Sequence, residues 1–409
     1  MRATTRVLGV VQAGGAGSRM DVLTRERAKP ALPFGGSYRL VDFALSTLAG
    51  SGVTDVWLSV QYRAGSLHGH VAGGRPWDLD RTRGGLRWLV PEEGGGSPTQ
   101  EGFAEGNADD LHQYVDAIDS FGSDVVVVTS ADQVLGVDLR PVIDEHLASG
   151  ADATLLTTEV TRTRAREKTV VVTGRGGAVR RVEEKPDDPS ATTIAAEVFV
   201  YRREVLVDAL GALRRDVAVR DGDADDLGDF SEHLLPGLVE RADVRAVPLP
   251  GYWADCGTPA AYLAAHRDLV AGRVGLMTDP PVPLLTRWPE RRPAVVASGA
   301  VVEDSWLAPG CDVRGTVHRS VIGPGVVVEA GAVVEDSVLM EDGLVRRDAR
   351  VATAVLDERV VVGRGARVGR LPTATRLADS HVTLLGRDAS VAAGAELDPG
   401  ARMEPGATA

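Results

Sequence analysis

Apolar and polar positions follow two different rhythms along this 409-residue chain. Up to residue 275, short apolar runs alternate with stretches whose apolar residues recur every three or four positions, which predicts buried strands alternating with helices. This alternation is typical of an α/β fold with a Rossmann-like, doubly wound and mostly parallel sheet. The predicted strands are VLGVVQ (7–12), VTDVWLSV (53–60), DVVVVTSA (124–131), ATLLTTEV (153–160) and EVFVY (197–201), and the predicted helices are RLVDFALSTLAGSG (39–52), DDLHQYVDAIDSFG (109–122) and LRPVIDEHLASG (139–150).

The rhythm changes after a proline-rich segment, 276–293, which we interpret as a linker between an α/β domain (1–275) and a second domain (294–409). Beyond the linker, apolar residues recur every six positions, the period of a parallel β-helix whose turns have three short sides. A valine- and glycine-rich sandwich is the alternative, and phase shifts between the series predict loops that leave the coil. The series are Val295, Val301, Leu307 and Val313; then Val321, Val327, Val333, Leu339, Val345 and Val351; then Leu385, Val391, Leu397 and Met403.

Composition and charge narrow the class of protein. The formal net charge of −13 disfavours non-specific binding to nucleic acid, and an anionic ligand would need local basic groups. Two cysteines, Cys256 and Cys311, imply no disulfide framework and fit a reducing compartment. The first residues lack the apolar stretch of a signal peptide, and no run approaches eighteen apolar residues. We therefore expect a cytoplasmic protein without a membrane span.

A glycine-rich loop, "VVQAGGAGSRM" (10–20), follows the first predicted strand. At a turn from strand to helix, successive backbone N–H groups can bind phosphate, and glycine lets the ligand approach the backbone closely. Arg19 adds a guanidinium suited to phosphate oxygens. The loop matches neither the Walker A pattern nor the spaced dinucleotide fingerprint, and a turn built only for packing is the alternative.

Other charged positions could complete such a site. Asp132 follows a strand, where ligands of open α/β sheets bind and where a carboxylate suits Mg²⁺; a helix N-cap is the alternative. Asp255 lies in the glycine- and aromatic-rich "GYWADCGT", and Lys185 ends "VEEK", although either could be structural. Three basic residues close to the glycine loop form either a ligand site or a solvated patch: Arg27, Lys29 and Arg39.

In sequence order, these motifs resemble the sugar-1-phosphate nucleotidyltransferases, and most closely the ADP-glucose pyrophosphorylase family. The similarity covers nearly the whole chain. It rests on "AGGAGSRM", "RAKPALPFGGSYRLVDFALS", "QYRAGSL", "EGNADDL", "SADQ", "EEKP", "YWADCGTPAAYLAAHRDL" and the terminal six-residue repeats.

The resemblance implies that the C-terminal coil is a left-handed β-helix and that the chain converts ATP and glucose 1-phosphate into ADP-glucose and pyrophosphate with Mg²⁺, for glycogen or α-glucan synthesis. It also implies a homotetramer that responds to an anionic metabolite effector. The reaction fits the residue set, because a phosphate nucleophile needs no general base and catalysis reduces to positioning and charge neutralisation.

The resemblance also assigns roles by position. It implies catalytic roles for Arg19, Asp132 and Lys185; nucleotide binding by Gly14, Gly15, Gly17, Ser18, Gly106 and Asp109; sugar-phosphate binding by Glu184, Lys185 and Glu197; metal binding by Asp132 and Asp255; and effector binding by Lys29 and Arg39.

Several positions depart from the family's pattern and keep other functions open. Lys168-Thr169-Val170 stands where the family has Phe-Gly-Val, and Ala196-Glu197-Val198 where it has Ser-Met-Gly. A different nucleoside triphosphate or sugar phosphate is therefore one alternative, and a regulatory paralogue that binds sugar nucleotides is another. Acyl transfer is a third, since many six-residue-repeat coils perform it, but it would need His318 or His381 as a base.

Overall fold

The computed structural model describes residues 5–15, 17–91, 104, 106–221, 227–374 and 376–409. Strands and helices alternate in its first part, as the apolar pattern predicts. The strands there are β1 (Val7–Gln12), β2 (Pro33–Phe34), β3 (Tyr38–Arg39), β4 (Asp55–Ser59), β5 (Gly85–Leu89), β6 (Val125–Ser130), β7 (Gln133–Leu135), β8 (Ala153–Glu159), β9 (Thr169–Thr173), β10 (Val179–Glu184), β11 (Thr193–Arg202), β12 (Val244–Pro248) and β13 (Trp253–Asp255). The helices are α1 (Leu40–Gly50), α2 (Ala64–Val71), α3 (Asn107–Gln113), α4 (Val115–Phe121), α5 (Leu139–Ser149), α6 (Arg162–Ala165), α7 (Arg203–Asp221), α8 (Leu235–Arg241) and α9 (Pro259–Val270).

As far as the chain is described, nine of these strands form one sheet, in the order β10-β9-β11-β6-β1-β4-β5, with β8 paired to β11 and β12 to β8. Strands β6, β1, β4 and β5 are parallel, which confirms the predicted Rossmann-like core. Strand β11 runs antiparallel to β6, β8 and β9, so the other half of the sheet is mixed. Apolar side chains cover both faces of the sheet, which is why its strands read as continuous apolar runs.

The helix predicted over 109–122 is two helices, α3 and α4. Tyr114, between them, has φ −110° and ψ 12°, outside the helical range, and α4 ends at Gly122 in a left-handed conformation. The apolar residues keep their helical spacing across this break because both helices bury residues on the same side, Leu111 from α3 and Ile118 from α4.

The six-residue repeats fold into a left-handed parallel β-helix with three six-stranded parallel sheets among the described residues. Every apolar position of the three predicted series lies in one of its strands. They are β14 (Val295–Val296), β15 (Val301–Glu303), β16 (Trp306–Leu307), β17 (Asp312–Val313), β18 (Thr316–His318), β19 (Val321–Ile322), β20 (Val327–Val328), β21 (Val333–Glu335), β22 (Val338–Leu339), β23 (Leu344–Val345), β24 (Arg350–Ala352), β25 (Ala354–Leu356), β26 (Val361–Val362), β27 (Arg367–Val368), β28 (Thr383–Leu385), β29 (Ser390–Val391), β30 (Glu396–Leu397) and β31 (Arg402–Met403).

One long excursion leaves the coil between β27 and β28, at the second of the two predicted phase shifts. At the first, between Val313 and Val321, the chain continues through β18 and no loop leaves the coil. The excursion includes a helical turn, Asp379–His381, and the Asp379 carboxylate accepts a hydrogen bond from the backbone N–H of Ala260 at the start of α9 (2.8 Å). The excursion therefore helps to hold the coil against the α/β part. The predicted boundaries at residues 275 and 293 stay a prediction.

The coil and the α/β part share one apolar cluster, which includes Phe34, Tyr262 and Leu276 from the first part and Val338 and Val355 from the coil. Buried or half-buried ion pairs cross the same contact: Arg27 with Asp357, Arg267 with Asp336 and Arg402 with Asp21. In the described part of the chain, no helix has the length and apolar character required to cross a bilayer.

Candidate active site

A cleft of about 600 Å³ opens at the carboxyl ends of β1 and β6, the edge at which parallel sheets bind ligands. The structure brings most of the predicted residues to this cleft and leaves some outside it. Its lining includes Gly14, Gly15, Gly17, Ser18, Arg19, Lys29, Gly106, Asp132, Glu197 and Asp255, but not Arg39, Asp109, Glu184 or Lys185.

The glycine loop forms one wall with its backbone exposed. A Cβ atom built on Gly15 would meet nothing within 4 Å, so the backbone there faces open space. Gly17 ends the loop directly before the helical turn Ser18–Thr24. Its φ of +67° favours glycine at this position. Arg19 projects from that turn, exposed, and its guanidinium has no hydrogen bond or ion pair with any described residue. This wall has the open backbone and free positive charge that a phosphate chain requires.

Gln12, the last residue of β1, connects this wall to helix α3. Its side-chain amide donates to the Asn107 carbonyl (2.7 Å) and to the Asp110 carboxylate (2.9 Å). Burial raises the pKa of Asp110 despite hydrogen bonds from Ser59, Gln12 and Gln61. Asp110 is therefore the carboxylate of α3 that faces the cleft, whereas Asp109, predicted for nucleotide binding, does not line it.

Gly106 shapes the entry to α3. Its φ is +105°, and an added Cβ would lie 2.3 Å from the carbonyl oxygen of Gly228. The Ala108 N–H donates to that same carbonyl (3.1 Å), and Asn107 makes a further hydrogen bond to the Asp229 carboxylate (3.2 Å). Only glycine allows this close approach, which holds α3 against the segment that carries Asp229 and Phe230.

Two aspartates converge on the floor of the cleft. Asp132 follows β6, and Gln133 comes directly after it. The short antiparallel ribbon of β7 and β13 pairs Gln133 with Asp255. Lys29 lies between the two carboxylates, with its Nζ 2.6 Å from Asp132 and 3.8 Å from Asp255. Burial alone would raise the pKa of Asp132, but Lys29 outweighs it and holds that pKa at about 2. Asp132 is therefore a permanent anion.

The structure places Lys29, which is predicted to bind an effector, beside the two aspartates. Its side chain is only 7 % exposed, and its ammonium lies in the floor of the cleft. Burial opposes the charge, but the carboxylates of Asp132 and Asp255 raise the pKa of Lys29 above its ordinary value. The side chain lies there because the three-residue helical turn Lys29–Ala31 directs this segment inward, between the glycine loop and β2. Sequence proximity to the other basic residues could not reveal that direction.

Arg39 lies elsewhere, in a separate cavity between the α/β part and the coil. Its guanidinium donates to the Ala31 carbonyl (2.6 Å), and burial lowers its pKa. The same cavity is lined by Arg287 and Trp288 and, from the coil, by Glu341 and Glu358. Lys29 and Arg39 therefore do not share a site.

The sugar side of the predicted site is only partly assembled around the cleft. Glu197 lies on the cleft wall at a register shift of β11, with φ +52°. Burial raises the pKa of Glu197 to about 7, and the charge of Asp132 adds to that shift. Glu184 and Lys185 lie next to each other outside the lining, and the hydrogen bond to Glu184 raises the pKa of Lys185.

Sequence reasoning missed several residues of the cleft, among them Lys168, Asp229 and Phe230. Lys168 forms an ion pair with Asp255, while Asp229 and Phe230 close the end near Gly106. Asp229 and Phe230 begin a short helical segment and carry no recognisable motif. Lys168 did carry a signal, because lysine occurs only three times in the whole sequence, against forty-two arginines.

The floor of the cleft has the donors that Mg²⁺ uses. Within the described ranges, no group of three or more His, Cys, Asp and Glu residues could hold a metal ion by itself. Mg²⁺ is commonly held by one or two carboxylates together with phosphate oxygens of the substrate. The converging carboxylates of Asp132 and Asp255 fit that pattern.

The two histidines considered for acyl transfer lie outside the cleft, one on the coil and one on its excursion. Nδ1 of His318 lies 3.1 Å from the Glu303 carboxylate on the coil, and Nδ1 of His381 accepts a hydrogen bond from the Ala378 backbone. Neither lines the cleft.

This arrangement of a glycine loop, an exposed arginine and paired aspartates at the end of a parallel sheet defines a nucleotide-binding transferase site. The model of the Nucleotidyl transferase family matches residues 8–272, and that of the GlmU-like C-terminal hexapeptide family matches residues 294–384. The chain belongs to the nucleotidyl transferase family.

Relatives with named activities match almost the full length. A glucose-1-phosphate adenylyltransferase of Thermomicrobium roseum is 37% identical over 422 residues, covering 95% of this chain and 90% of the relative. The enzyme of the same name from Fervidobacterium nodosum is 30% identical over 395 residues (94% and 92%), and that from Pseudothermotoga lettingae is 34% identical over 380 residues (92% and 88%).

Proposed function

We propose that this protein transfers the adenylyl group of ATP to glucose 1-phosphate, forming ADP-glucose and pyrophosphate. The observation that carries the proposal is the convergence, in one cleft, of an open glycine backbone, the exposed Arg19 guanidinium and the carboxylates of Asp132 and Asp255. The near full-length similarity to glucose-1-phosphate adenylyltransferases supports the choice of substrates.

The chemistry requires little more than this set of groups. An anionic oxygen of the sugar phosphate attacks the α-phosphorus of ATP, and the bond to pyrophosphate breaks on the opposite side. The nucleophile is already charged, so the protein contributes position and charge neutralisation. The backbone of Gly14 and Gly15 binds the phosphate chain, and Arg19 stabilises the charge that develops on pyrophosphate. Mg²⁺ held by Asp132 and Asp255 would supply further positive charge to the phosphates.

We place the sugar phosphate at the end of the cleft bounded by Glu197, Asp229 and Phe230. Lys185 is adjacent: the hydrogen bond to Glu184 and the nearby charge of Asp229 both raise the pKa of its ammonium. On this assignment, Lys185 reaches the sugar phosphate when it leaves Glu184, and Glu184 then accepts hydrogen bonds from sugar hydroxyls. Ser18, Gly106 and Asp109 contribute to the nucleotide side through the backbone and packing of the two helical segments that begin there.

The test is pyrophosphate release by the purified chain with Mg²⁺, using ATP, dTTP, UTP and GTP against glucose 1-phosphate and related sugar phosphates. Asp132→Asn should lower the rate at least about 100-fold, because it removes a permanent charge from the floor of the cleft. The matched control is Asp124→Asn at the opposite end of β6, where the carboxylate only accepts a backbone hydrogen bond from Arg6 (2.7 Å). Release with ATP and glucose 1-phosphate that survives Asp132→Asn would refute the catalytic role of Asp132, and no release with that pair would refute the proposed reaction.

A different substrate pair is the second candidate, and Glu197 favours it. A carboxylate at the sugar end of the cleft repels phosphate and changes which hydroxyls can be bound. Release with another pair alone would keep the mechanism and change the substrate. Nucleotide binding without release from any pair would indicate a regulatory paralogue instead.

We further propose that an anionic metabolite binds the cavity of Arg39 and Arg287, and that the chain assembles as a homotetramer through its coil in the cytoplasm. The cytoplasmic location agrees with two buried, unpaired cysteines. Analytical ultracentrifugation gives the assembly state. An Arg39→Ala variant that keeps its basal rate but loses its response to anionic sugar phosphates would support the effector site.

A further inference from the structure

Lysine is rare in this chain, and each lysine lies next to carboxylates in or beside the cleft. Only three of the 45 basic side chains are lysines. Lys29 contacts Asp132, Lys185 contacts Glu184, and Lys168 contacts Asp255. Arginine supplies the positive charge everywhere else. A compact ammonium, which exchanges partners more readily than the rigid fork of a guanidinium, is therefore confined to this site.

Lys168 is held firmly by its backbone, whereas its side chain has room to move. Its N–H donates to the Ala165 carbonyl at the end of α6, and its carbonyl accepts from the Lys185 N–H, each at 3.2 Å. The ammonium pairs with Asp255 and lies 5.8 Å from the centre of the Trp253 ring. The side chain is 17 % exposed and lines the cleft, so it can swing without moving the backbone.

Glu197 offers a second carboxylate to the same ammonium. It lies on the cleft wall, and no other described residue forms a hydrogen bond or ion pair with its carboxylate. Lys168 is close enough to oppose the rise of the Glu197 pKa. The backbone of Glu197 has φ +52°, at the register shift of β11. This conformation directs the Glu197 side chain into the cleft rather than into the sheet. Two ammonium groups, Lys29 and Lys168, thus face three carboxylates.

We propose that Lys168 is a displaceable counter-ion of Asp255. In the free protein its ammonium neutralises Asp255, and when a divalent cation arrives with the nucleotide and takes Asp255, the ammonium moves to Glu197. This inference rests on the proposed function, because it requires a metal ion at Asp132 and Asp255. Its consequence is an order of binding: the free protein holds the metal weakly, and the metal enters together with the nucleotide phosphates. Lys168 and Glu197 are positioning residues in this scheme.

The test is binding of Mn²⁺, followed by the electron paramagnetic resonance signal of the free ion, with and without a non-hydrolysable ATP analogue. Lys168→Met should tighten Mn²⁺ binding to the nucleotide-free protein roughly tenfold or more, because an ammonium no longer competes for Asp255. Lys168→Arg, which keeps the charge, should leave that binding weak. The matched control is Arg166→Met, two residues away and exposed, which should change the affinity less than about twofold.

Glu197→Gln isolates the second half of the proposal. It should weaken Mn²⁺ binding in the presence of the ATP analogue, because the displaced ammonium has no carboxylate to move to. The same substitution should have no effect on Mn²⁺ binding in a chain that already carries Lys168→Met, since no ammonium is left to move. That non-additivity separates a partner exchange from two independent charge effects.

The outcomes separate the two proposals. Equal Mn²⁺ affinity in the wild-type protein and the folded Lys168→Met variant would overturn the counter-ion and leave the proposed function intact. Additive effects of Lys168→Met and Glu197→Gln would overturn the exchange between carboxylates. If no variant binds Mn²⁺ with or without the ATP analogue, the metal role in the proposed function fails as well.

Discussion

At the scale of single residues, the cleft uses bare backbone where phosphate must approach and charged side chains where charge must be neutralised. Gly15 illustrates the first use. Its φ is not positive, and an alanine methyl group would meet no protein atom within 4 Å. The protein therefore has no structural need for glycine at this position. The need comes from the ligand that would occupy the space.

Gly15→Ala should therefore weaken nucleotide binding without weakening the fold. The free energy of unfolding should change by less than about 0.5 kcal/mol, whereas the KM for ATP should rise about tenfold or more, because the methyl group occupies the space of a phosphate. Gly65→Ala is the control, since Gly65 on α2 also has open space around it but lies outside the cleft. Denaturant unfolding and steady-state kinetics give both quantities. An unchanged KM would remove Gly15 from the phosphate site.

Glu197 makes stability depend on pH. Its pKa is raised to about 7 in the folded protein, so the folded state holds its proton more tightly than the unfolded chain does. The resulting stabilisation is complete below the ordinary pKa of a glutamate and is lost as the pH rises through about 7. Glu197→Gln removes this loss. We expect the variant to be more stable than the wild type by about 1–2 kcal/mol at pH 8, with little difference at pH 4.5.

Urea unfolding of both proteins at the two pH values measures this effect. Glu167→Gln, on the exposed surface, is the control and should leave the pH dependence unchanged. An equal gain in stability at both pH values would mean that shape, rather than charge, is responsible.

How much of the cleft the sequence predicts depends on how local each signal is. The glycine loop and Asp132 follow strand ends, so their meeting at one edge of the sheet follows from chain order alone. Asp255 reaches them through the ribbon of β7 and β13, which only its motif suggested. The inward position of Lys29 and the pairing of Lys168 depend on which segments pack together in three dimensions. The spacing of residues along the sequence gives no information on that packing.

At the scale of elements, the coil is stabilised by identical small side chains stacked from one turn to the next. Val334 in β21 is fully buried and lies in register between Val317 and Val351. Val301 in β15 belongs to the same six-stranded sheet but is 40 % exposed. The two valines differ in which face of the strand they occupy, and so in how much apolar surface they bury.

Val334→Ala should cost about 2 kcal/mol in the free energy of unfolding, because it leaves a cavity between two turns that cannot close around it. Val301→Ala should cost less than about 0.5 kcal/mol. Denaturant unfolding monitored by circular dichroism measures both changes in the free energy of unfolding. Equal costs would contradict the inward orientation of Val334.

Element types and the parallel core could be predicted from periodicity and chain order, but the antiparallel pairing could not. The six-residue period identifies the coil because every turn repeats one geometry. In the α/β part, an apolar run such as that of β11 is the same whether its neighbours run parallel or antiparallel to it. The apolar pattern therefore could not predict that half of the sheet is mixed. It could not predict the break between α3 and α4 at Tyr114 either.

At the scale of the whole molecule, a single short segment touches both the coil and the floor of the cleft. Arg27 is 2 % exposed and lies 2.6 Å from Asp357 of the coil, which is 3 % exposed. Lys29, two residues later, lies between Asp132 and Asp255. The coil thus fixes the segment that places a positive charge in the cleft. This coupling connects the stability of the contact between the two parts with the geometry of the site.

Arg27→Ala should lower the free energy of unfolding by about 3–5 kcal/mol, because it leaves Asp357 buried without its counter-ion. It should also lower pyrophosphate release, since Lys29 loses its anchor. Arg25→Ala is the matched control: Arg25 also pairs with a coil residue, Glu404 at 3.2 Å, but both side chains are exposed, so the cost should stay below about 1 kcal/mol.

The double variant Arg27→Met/Asp357→Leu separates stability from alignment. Replacing both charges by apolar side chains should recover most of the lost stability, because no buried charge remains unpaired. Activity should recover with it only if packing alone can hold the segment in place. A stable but inactive double variant would show that the ion pair itself aligns Lys29, whereas a single Arg27→Ala variant no less stable than Arg25→Ala would refute the anchor altogether.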